Sequence, residues 1–419
     1  MLNRKLAPPS FPIDHFQLPS YEQLTSSAGH DLIVCEDSKL PIVFIEFVFR
    51  SGKSCQELPG TSYYAIKMLQ EGTTRFTSEQ IAEKFESLGS FVEFSSSIDH
   101  TSIKLYSQKE HVAASLELLT ELLLDSTFPT AEYERLQQIR AQQLQNQLAK
   151  SSQLATLKFN EALFGKEHPV GNILTVESAL SLSLKDIKQF YKDKLFADAK
   201  VFVSGHVDLH ILDQLSSLQD QLPTVSHVSL NHSPISQINT SIIEQQDSEQ
   251  VSLRQGMFSL SKKDLAIHTL GIANTMLGGY FGSRLMKSIR EEKGYTYGIY
   301  STLVHTIDHS YWMLGSELVK EHKQDALDQI EKELEKLATV PPDVRELETM
   351  KNYLKGKLLS SVDSIFTKIG MIKGLKLYGL SDDYFEQYLQ TINSIKPDDI
   401  NLAVNKYLQQ AEKTKVLVG

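Results

Sequence analysis

The sequence predicts an α+β protein built from two duplicated domains, each a largely antiparallel sheet with helices packed on it. Three observations lead there. The first is an internal repeat. Ile98-Asp99-His100 recurs as Ile307-Asp308-His309 (307 − 98 = 209), and Lys109-Glu110-His111 as Lys320-Glu321-His322 (320 − 109 = 211). Asp186-Ile187 recurs as Asp399-Ile400 (399 − 186 = 213), and Gly205 as Gly419 (419 − 205 = 214), each Gly closing a run that starts Lys-Val. Four matches in one order, at a slowly drifting offset, mark a duplicated domain and not a short solenoid repeat. The second is that strand-like and helix-like stretches mix without a βαβ rhythm, which favours antiparallel sheets. The third is length. At about 100–200 residues per domain, 419 residues allow two to four domains. The repeat reduces this to two, since 419 / 2 is about 210.

The elements follow in order. The first 25 residues are proline-rich and read as an extended arm. Residues 40–49 form a run of Ile, Val and Phe, the pattern of a buried strand. Residues 62–69 and 78–88 have helical spacing. Ser78 is a candidate cap for the second, and Gln80 stands three residues after Thr77, the spacing of a capping box. Residues 91–95 and 101–106 alternate as strands do. Residues 111–124 and 130–150 are long helical patterns broken at Pro129. Residues 184–194 form a further helix, and 200–203 a strand. The segment 221–241 holds Pro223 and Pro234, many Ser, Thr and Asn, and no Asp, Glu, Lys or Arg. It reads as a linker. The expected division is therefore a domain over 1–222, a linker over 223–243 and a domain over 244–419.

Composition excludes several function classes. Hydrophobic residues make up 41% and charged residues 22%, enough apolar material for a core. The net charge of −10 argues against a nucleic-acid partner, because phosphate binding needs a basic field. Cys35 and Cys55 are too few for a disulfide framework. The start, Met-Leu-Asn-Arg-Lys, runs into Leu6-Ala7-Pro8-Pro9-Ser10-Phe11-Pro12, too proline-broken for the core of a signal peptide. No window approaches about 18 uninterrupted apolar residues. The expectation is a cytoplasmic bacterial protein with no membrane partner.

The segment Gly60-Thr61-Ser62-Tyr63-Tyr64-Ala65-Ile66-Lys67-Met68-Leu69-Gln70-Glu71-Gly72-Thr73 resembles the signature region of the M16 (insulinase or pitrilysin) metallopeptidases. It is similar above all to their half-length group, which includes mitochondrial processing peptidase. Arg50-Ser51-Gly52, Ser87-Leu88-Gly89, His168-Pro169-Val170-Gly171, Leu277-Gly278-Gly279 and the segment 282–300 extend the resemblance over nearly the whole chain. It implies an M16/LuxS-like metallohydrolase-type fold of two similar domains. It also implies an inverted zinc motif, His-x-x-Glu-His, with a distal Glu on a later helix. Two His at i and i+4 share a helix face and present neutral nitrogens to zinc, and the Glu takes a proton from metal-bound water. This chain departs at every one of those positions. Tyr63 stands for the first His, Ile66 for the general base and Lys67 for the second His. Gln143 stands for the distal Glu (143 − 67 = 76). The expectation is no metal and no cofactor in this chain, and no peptide hydrolysis by it alone.

The second half retains another feature of the resemblance. Arg290 and Tyr297 lie seven apart, with Gly294 closing a helix between them. They match the Arg/Tyr pair that faces the zinc from the C-terminal domain of such enzymes. A guanidinium suits substrate carbonyls, and a phenol suits a developing oxyanion. The chain therefore resembles the non-zinc, Arg/Tyr-bearing subunit of a heterodimeric peptidase that acts on extended peptides, with zinc held by the partner. Two alternatives stand beside this: a non-catalytic assembly protein, and a homodimeric peptide-binding protein. The pairs His206/His210 and His305/His309 read as exposed histidines, the second in a strand. Gly278-Gly279-Tyr280-Phe281-Gly282 reads as a tight loop, since it lacks the ending of a phosphate loop.

Overall fold

The computed structural model describes residues 13–227, 233–235, 240–245 and 248–419. The strands of the first half are β1 (Glu22–Thr25), β2 (Asp31–Glu36), β3 (Ile42–Phe49), β4 (Phe91–Ser96), β5 (Thr101–Gln108) and β6 (Lys200–Gly205). Its helices are α1 (Thr61–Met68), α2 (Ser78–Ser87), α3 (Val112–Leu124), α4 (Thr130–Ala149), α5 (Ser151–Phe164), α6 (Val176–Ser181), α7 (Leu184–Asp193) and α8 (Leu209–Gln221). The second half contributes β7 (Thr240–Ile243), β8 (Gln250–Phe258), β9 (Thr296–His305), β10 (Ser310–Val319) and β11 (Thr414–Val418). Its helices are α9 (Ile267–Asn274), α10 (Lys323–Thr339), α11 (Val344–Ser360), α12 (Ile365–Tyr378), α13 (Tyr384–Ser394) and α14 (Pro397–Val404).

The two sheets have orders β1-β2-β6-β3-β5-β4 and β7-β11-β8-β10-β9. Apart from the extra β1, each position in one has a counterpart in the other. In both, one pair is parallel, β2 with β6 and β7 with β11, and the rest are antiparallel. The repeated triplets occupy equivalent places. Ser97 N–H donates to the His100 carbonyl in the β4–β5 turn, and Thr306 N–H to the His309 carbonyl in the β9–β10 turn, both at 2.8 Å. His111 and His322 are the residues preceding α3 and α10. Asp186 and Asp399 reach back from the first turns of α7 and α14 to the backbone N–H groups of Ser183 (3.1 Å) and Lys396 (2.8 Å). This backward reach satisfies a helix-start donor, and it accounts for the recurring Asp.

One face of the first sheet packs against α1, α3 and α7 through Tyr64, Met68, Leu119, Leu123, Ile187 and Phe190. Its other face is covered by α12, from the second half. There Ile365, Ile369 and Ile372 lie on Ile33, Phe44, Val48 and Phe202. The exchange is reciprocal. Ala155, Phe159 and Leu163 of α5 recur every four residues and pack on Met313, Val416 and Val418 of the second sheet. Gly256 of β8 makes room for this. A Cβ there would come within 2.7 Å of the Phe159 ring and 2.2 Å of the Trp312 carbonyl oxygen. Polar ties reinforce both crossings: Lys373 on α12 pairs with the buried Glu46 of β3 at 2.8 Å, and Arg254 of β8 donates to the Ser152 carbonyl at 3.0 Å and to Thr156 Oγ1 at 2.9 Å.

Several expectations change. Thr77, not Ser78, caps α2: its hydroxyl accepts from Gln80 N–H at 3.3 Å, and the Gln80 side chain accepts from Thr77 N–H at 3.0 Å. Residues 240–243, placed at the end of the linker by composition, form β7 and pair with β11. Residues 228–232 and 236–239 of that segment, and residues 1–12 of the arm, lie outside the described residues. The end of the arm is a strand, β1, and Phe16 is buried beside Phe385. Cys35 and Cys55 are both buried thiols. Among the described residues no helix is long and apolar enough to cross a membrane.

The two Ile-Asp-His turns meet. Ile307 N–H donates to the Asp99 carboxylate at 3.0 Å. Burial pushes the Asp99 carboxyl up to about 6, and the nearby Asp308 adds to the rise. An unfolded aspartate titrates near 3.8. The folded chain therefore holds this proton more tightly, so the contribution favours folding fully below about pH 4 and is lost as pH rises through about 6. Asp99→Asn keeps the acceptor and removes the charge. It is expected to exceed wild type in stability at pH 8 by on the order of 2–3 kcal/mol, and to match it near pH 4. Denaturant unfolding at both pH values checks this, and a less stable variant at pH 8 would contradict it. Lys373→Met leaves Glu46 buried and unpaired and is expected to lose about 2–4 kcal/mol, while adding Glu46→Gln recovers most of the loss. A double-mutant cycle by thermal or chemical unfolding measures both.

Candidate functional site

The helix carrying the expected metal positions starts at Gly60, which adopts a left-handed conformation with φ 99°. Gln56 organises this start: its side-chain oxygen accepts from Gly60 N–H (3.1 Å), Ser62 N–H (3.3 Å) and the Ser62 hydroxyl (3.1 Å). Four residues apart, Tyr63 and Lys67 share a face of α1 that is half-buried. Ile66 points the other way and is fully buried in the core. Tyr63 packs edge-on against Tyr64 at 5.3 Å, and burial pushes the Tyr64 phenol up to about 12.

The link to Gln143 runs through a residue that the sequence reading missed. The Arg140 guanidinium lies over the Tyr63 ring at 4.7 Å and donates from Nη1 to Gln143 Oε1 at 3.4 Å. Tyr63, Arg140 and Gln143 thus form one contact chain from α1 to α4. Its signal was available: Arg140 sits one helical turn before Gln143. Lys53, in the turn after β3, is pushed below its ordinary value by burial and by the Arg140 charge. Lys67 is also pushed down by burial, against the pull of Glu71 and Glu93. Among the described residues Lys53, Lys67 and Arg140 form no ion pair.

This donor set does not fit zinc. A phenol that burial pushes above its ordinary pKa, a neutral amide and an apolar side chain supply none of the imidazole or carboxylate ligands zinc takes, and three cations repel a divalent ion. Among the described residues no group of three or more His, Cys, Asp and Glu is placed to hold a metal. His305 ends β9, and its Nδ1 lies 2.8 Å from the Ser310 hydroxyl. His309 lies in the hairpin turn and not in a strand, and meets His168 edge-on at 5.0 Å. His210 is exposed, and the Asp208 side chain is spent capping α8, accepting from Ile211 N–H at 3.0 Å.

In the second half, Arg290 sits in a π-helical segment, Met286–Glu292, where an α-helix was expected. Lys293 N–H donates to Ser288 O at 3.2 Å, the wide i to i−5 closure. Gly294, at φ 69°, then reverses the chain into β9. The Arg290 guanidinium lies 4.8 Å over the exposed Phe281 ring. Tyr297, near the start of β9 on the sheet edge, is 90% exposed. No bond joins Arg290 to Tyr297; both project from the same helix-to-strand junction. Gly278 and Gly279, expected in a tight loop, end a π-helical segment, Thr275–Gly279, and a Cβ at Gly278 would lie 2.7 Å from Ser301 Cβ.

Dialysis against zinc followed by elemental analysis is expected to leave the chain without stoichiometric metal, and a chelator should not change its melting temperature. One bound zinc per chain would overturn this account of the site.

Two family profiles match: insulinase (peptidase family M16) over residues 49–175, and the peptidase M16 inactive domain over residues 181–354. A Bacillus subtilis protein named an uncharacterized zinc protease, YmxG, is 22% identical over 352 residues, covering 82% of this chain and 85% of its own. A Helicobacter pylori protein named a non-peptidase homolog, YmxG, is 26% identical over 412 residues, covering 95% and 93%. The solved M16 inactive domain from Pseudomonas fluorescens superposes with a TM-score of 0.88 at 23% identity, over 95% of this chain and 98% of that one. The periplasmic protease PqqL of Escherichia coli gives 0.76 at 16% identity, matching 99% of this chain but 49% of PqqL. With profiles matched in both halves and the likeness running nearly end to end, this chain belongs to the M16 peptidase family.

Proposed function

We propose that the chain is the non-zinc subunit of a heterodimeric M16 peptidase, and that it contributes Arg290 and Tyr297 to a substrate held against a zinc-bearing homologue. The observation that carries this reading is an asymmetry between the halves. The expected metal positions hold Tyr63, Ile66, Lys67 and Gln143, whereas the half-buried Arg290 and the exposed Tyr297 make no side-chain hydrogen bond among the described residues. The name of the Helicobacter pylori relative, a non-peptidase homolog, supports the first part.

In this role Arg290 donates to a backbone carbonyl of an extended peptide, and Tyr297 donates to the oxygen that gains charge in the transition state. The edges of both sheets suit such a peptide. β4 and β9 each have one unpaired side, and strand addition supplies main-chain hydrogen bonds there. Beside β4 lies a pocket of about 420 Å³ lined by Ile81, Phe85, Val92 and Phe94 together with Glu79, Glu86 and Arg135, a mixed lining suited to an amphipathic side chain.

Co-expression with a zinc-motif homologue tests the proposal. Tyr297→Phe is expected to lower kcat of the complex by about 10²-fold, and Arg290→Ala to lower kcat/KM by at least as much, with assembly unchanged. Full activity in both variants would leave an assembly role. A chain that binds peptide only as a homodimer would favour the peptide-binding alternative.

A further inference from the structure

A cavity of about 500 Å³ lies in the second half, between α9, α11, α12, α13 and the far end of β9. It is separate from the degenerate metal positions and from Arg290 and Tyr297, and its volume falls within the range of about 300–1,000 Å³ typical of small-molecule sites. Its walls are mostly apolar, with Leu303, Leu354 and Leu375 among them.

Two features distinguish it from a packing defect. The first is a pair of glycines inside helices, Gly271 of α9 and Gly374 of α12, both in the lining. A Cβ at either would meet nothing within 4 Å. Neither has a positive φ that would require glycine, and a glycine inside a helix costs about 1 kcal/mol relative to alanine. Their effect is to leave space between two walls.

The second is the sign of the polar groups. Lys262, His268, His305 and Lys357 line the cavity, and no Asp or Glu does. The Lys262 ammonium lies 4.0 Å over the Tyr378 ring and has no ion pair among the described residues. The buried His268 ring packs edge-on against Tyr384 at 4.5 Å, and its nitrogens make no hydrogen bond among the described residues. His305 uses Nδ1 toward Ser310, which leaves Nε2. Burial and the charge of Lys262 push His305 down to about 4. Tyr378 joins these two groups: its ring lies under the Lys262 ammonium and its hydroxyl donates to the His305 carbonyl at 2.9 Å. Both line the cavity with no Asp or Glu in its walls, in an apolar surround where an unpaired charge is costly.

We propose that this cavity binds a small amphipathic carboxylic acid, its hydrocarbon body between Gly271 and Gly374 and its carboxylate toward Lys262 and His305. A carboxylate there gains charge-assisted hydrogen bonds in a partly desolvated setting, and the glycine-lined space takes the chain.

Calorimetric titration of the full chain with decanoate and with decanol tests this. Decanoate is expected to bind one equivalent per chain, about tenfold or more tighter than decanol. Lys262→Ala should bring decanoate down to the affinity of decanol while leaving decanol unchanged. Gly271→Leu and Gly374→Leu fill the space and favour the helix, so they should abolish binding without lowering the melting temperature. Equal affinity for decanol overturns the charge assignment. Binding that survives both glycine variants overturns the location, and no saturable binding of decanoate overturns the proposal. None of these outcomes depends on whether Arg290 and Tyr297 support a peptidase.

Discussion

The structure depends on one exchange of helices. Each sheet is apolar on both faces, and each half supplies helices for only one face of its own sheet. The other face is closed by α5 or α12, contributed from across the chain. Burying an Ile or Phe side chain is worth about 1.5–3 kcal/mol, and each crossing buries several. The second face of each sheet is therefore left uncovered in either half alone. The rest follows from this constraint. The crossing brings the two Ile-Asp-His turns into contact at Asp99 and Ile307. It also adds the Phe159 ring to the Trp312 carbonyl of the neighbouring strand as a group that leaves no room for a side chain at position 256.

On this scaffold the two halves have diverged in charge. In the first, the face of α1 that would meet a metal now meets cations of the protein itself, with Arg140 stacked on Tyr63 and Lys53 nearby. A guanidinium over an aromatic ring is a stable arrangement, and it occupies the approach to the ring face. The change is more than the loss of ligands. It places positive charge beside the positions the resemblance assigns to a metal, so one His introduced there would still face three cations. In the second half, the π-helical turn at Met286–Glu292 and the left-handed Gly294 carry the chain from Arg290 into the edge strand bearing Tyr297.

Much of the architecture was legible in the sequence. The repeats mark real equivalences because each reports a local requirement: an N-terminal Asp reaching back to a helix start, or a hairpin turn closed by its own backbone. β3, β5, α1, α3 and α4 stand out because their apolar periodicity is strong. The helix exchange was not legible. Periodicity tells which face of α5 is apolar, but not which sheet it covers, and the single-residue break at Lys150 hides where α4 ends and α5 begins. The π-helical segment Met286–Glu292 carries no local signal in the sequence. The strand expected at 305–309 breaks because residues 306–309 must turn the hairpin. At the site, the sequence names residues 63, 66, 67 and 143 only through the resemblance, whereas the contact of Arg140 with Tyr63 needs two helices in register.

The crossed helices also bear on how the chain can be made. The last strand of the first sheet ends at Gly205, and the helix that covers that sheet's second face begins at Ile365, about 160 residues later (365 − 205 = 160). During synthesis, Ile33, Phe44, Val48 and Phe202 must wait, exposed, while that length of chain is produced. A domain that emerges first usually folds first and shields itself. Here the first half cannot finish until the second is nearly complete, so the interval between the two is when the nascent chain is most open to capture by a chaperone or to association with another copy.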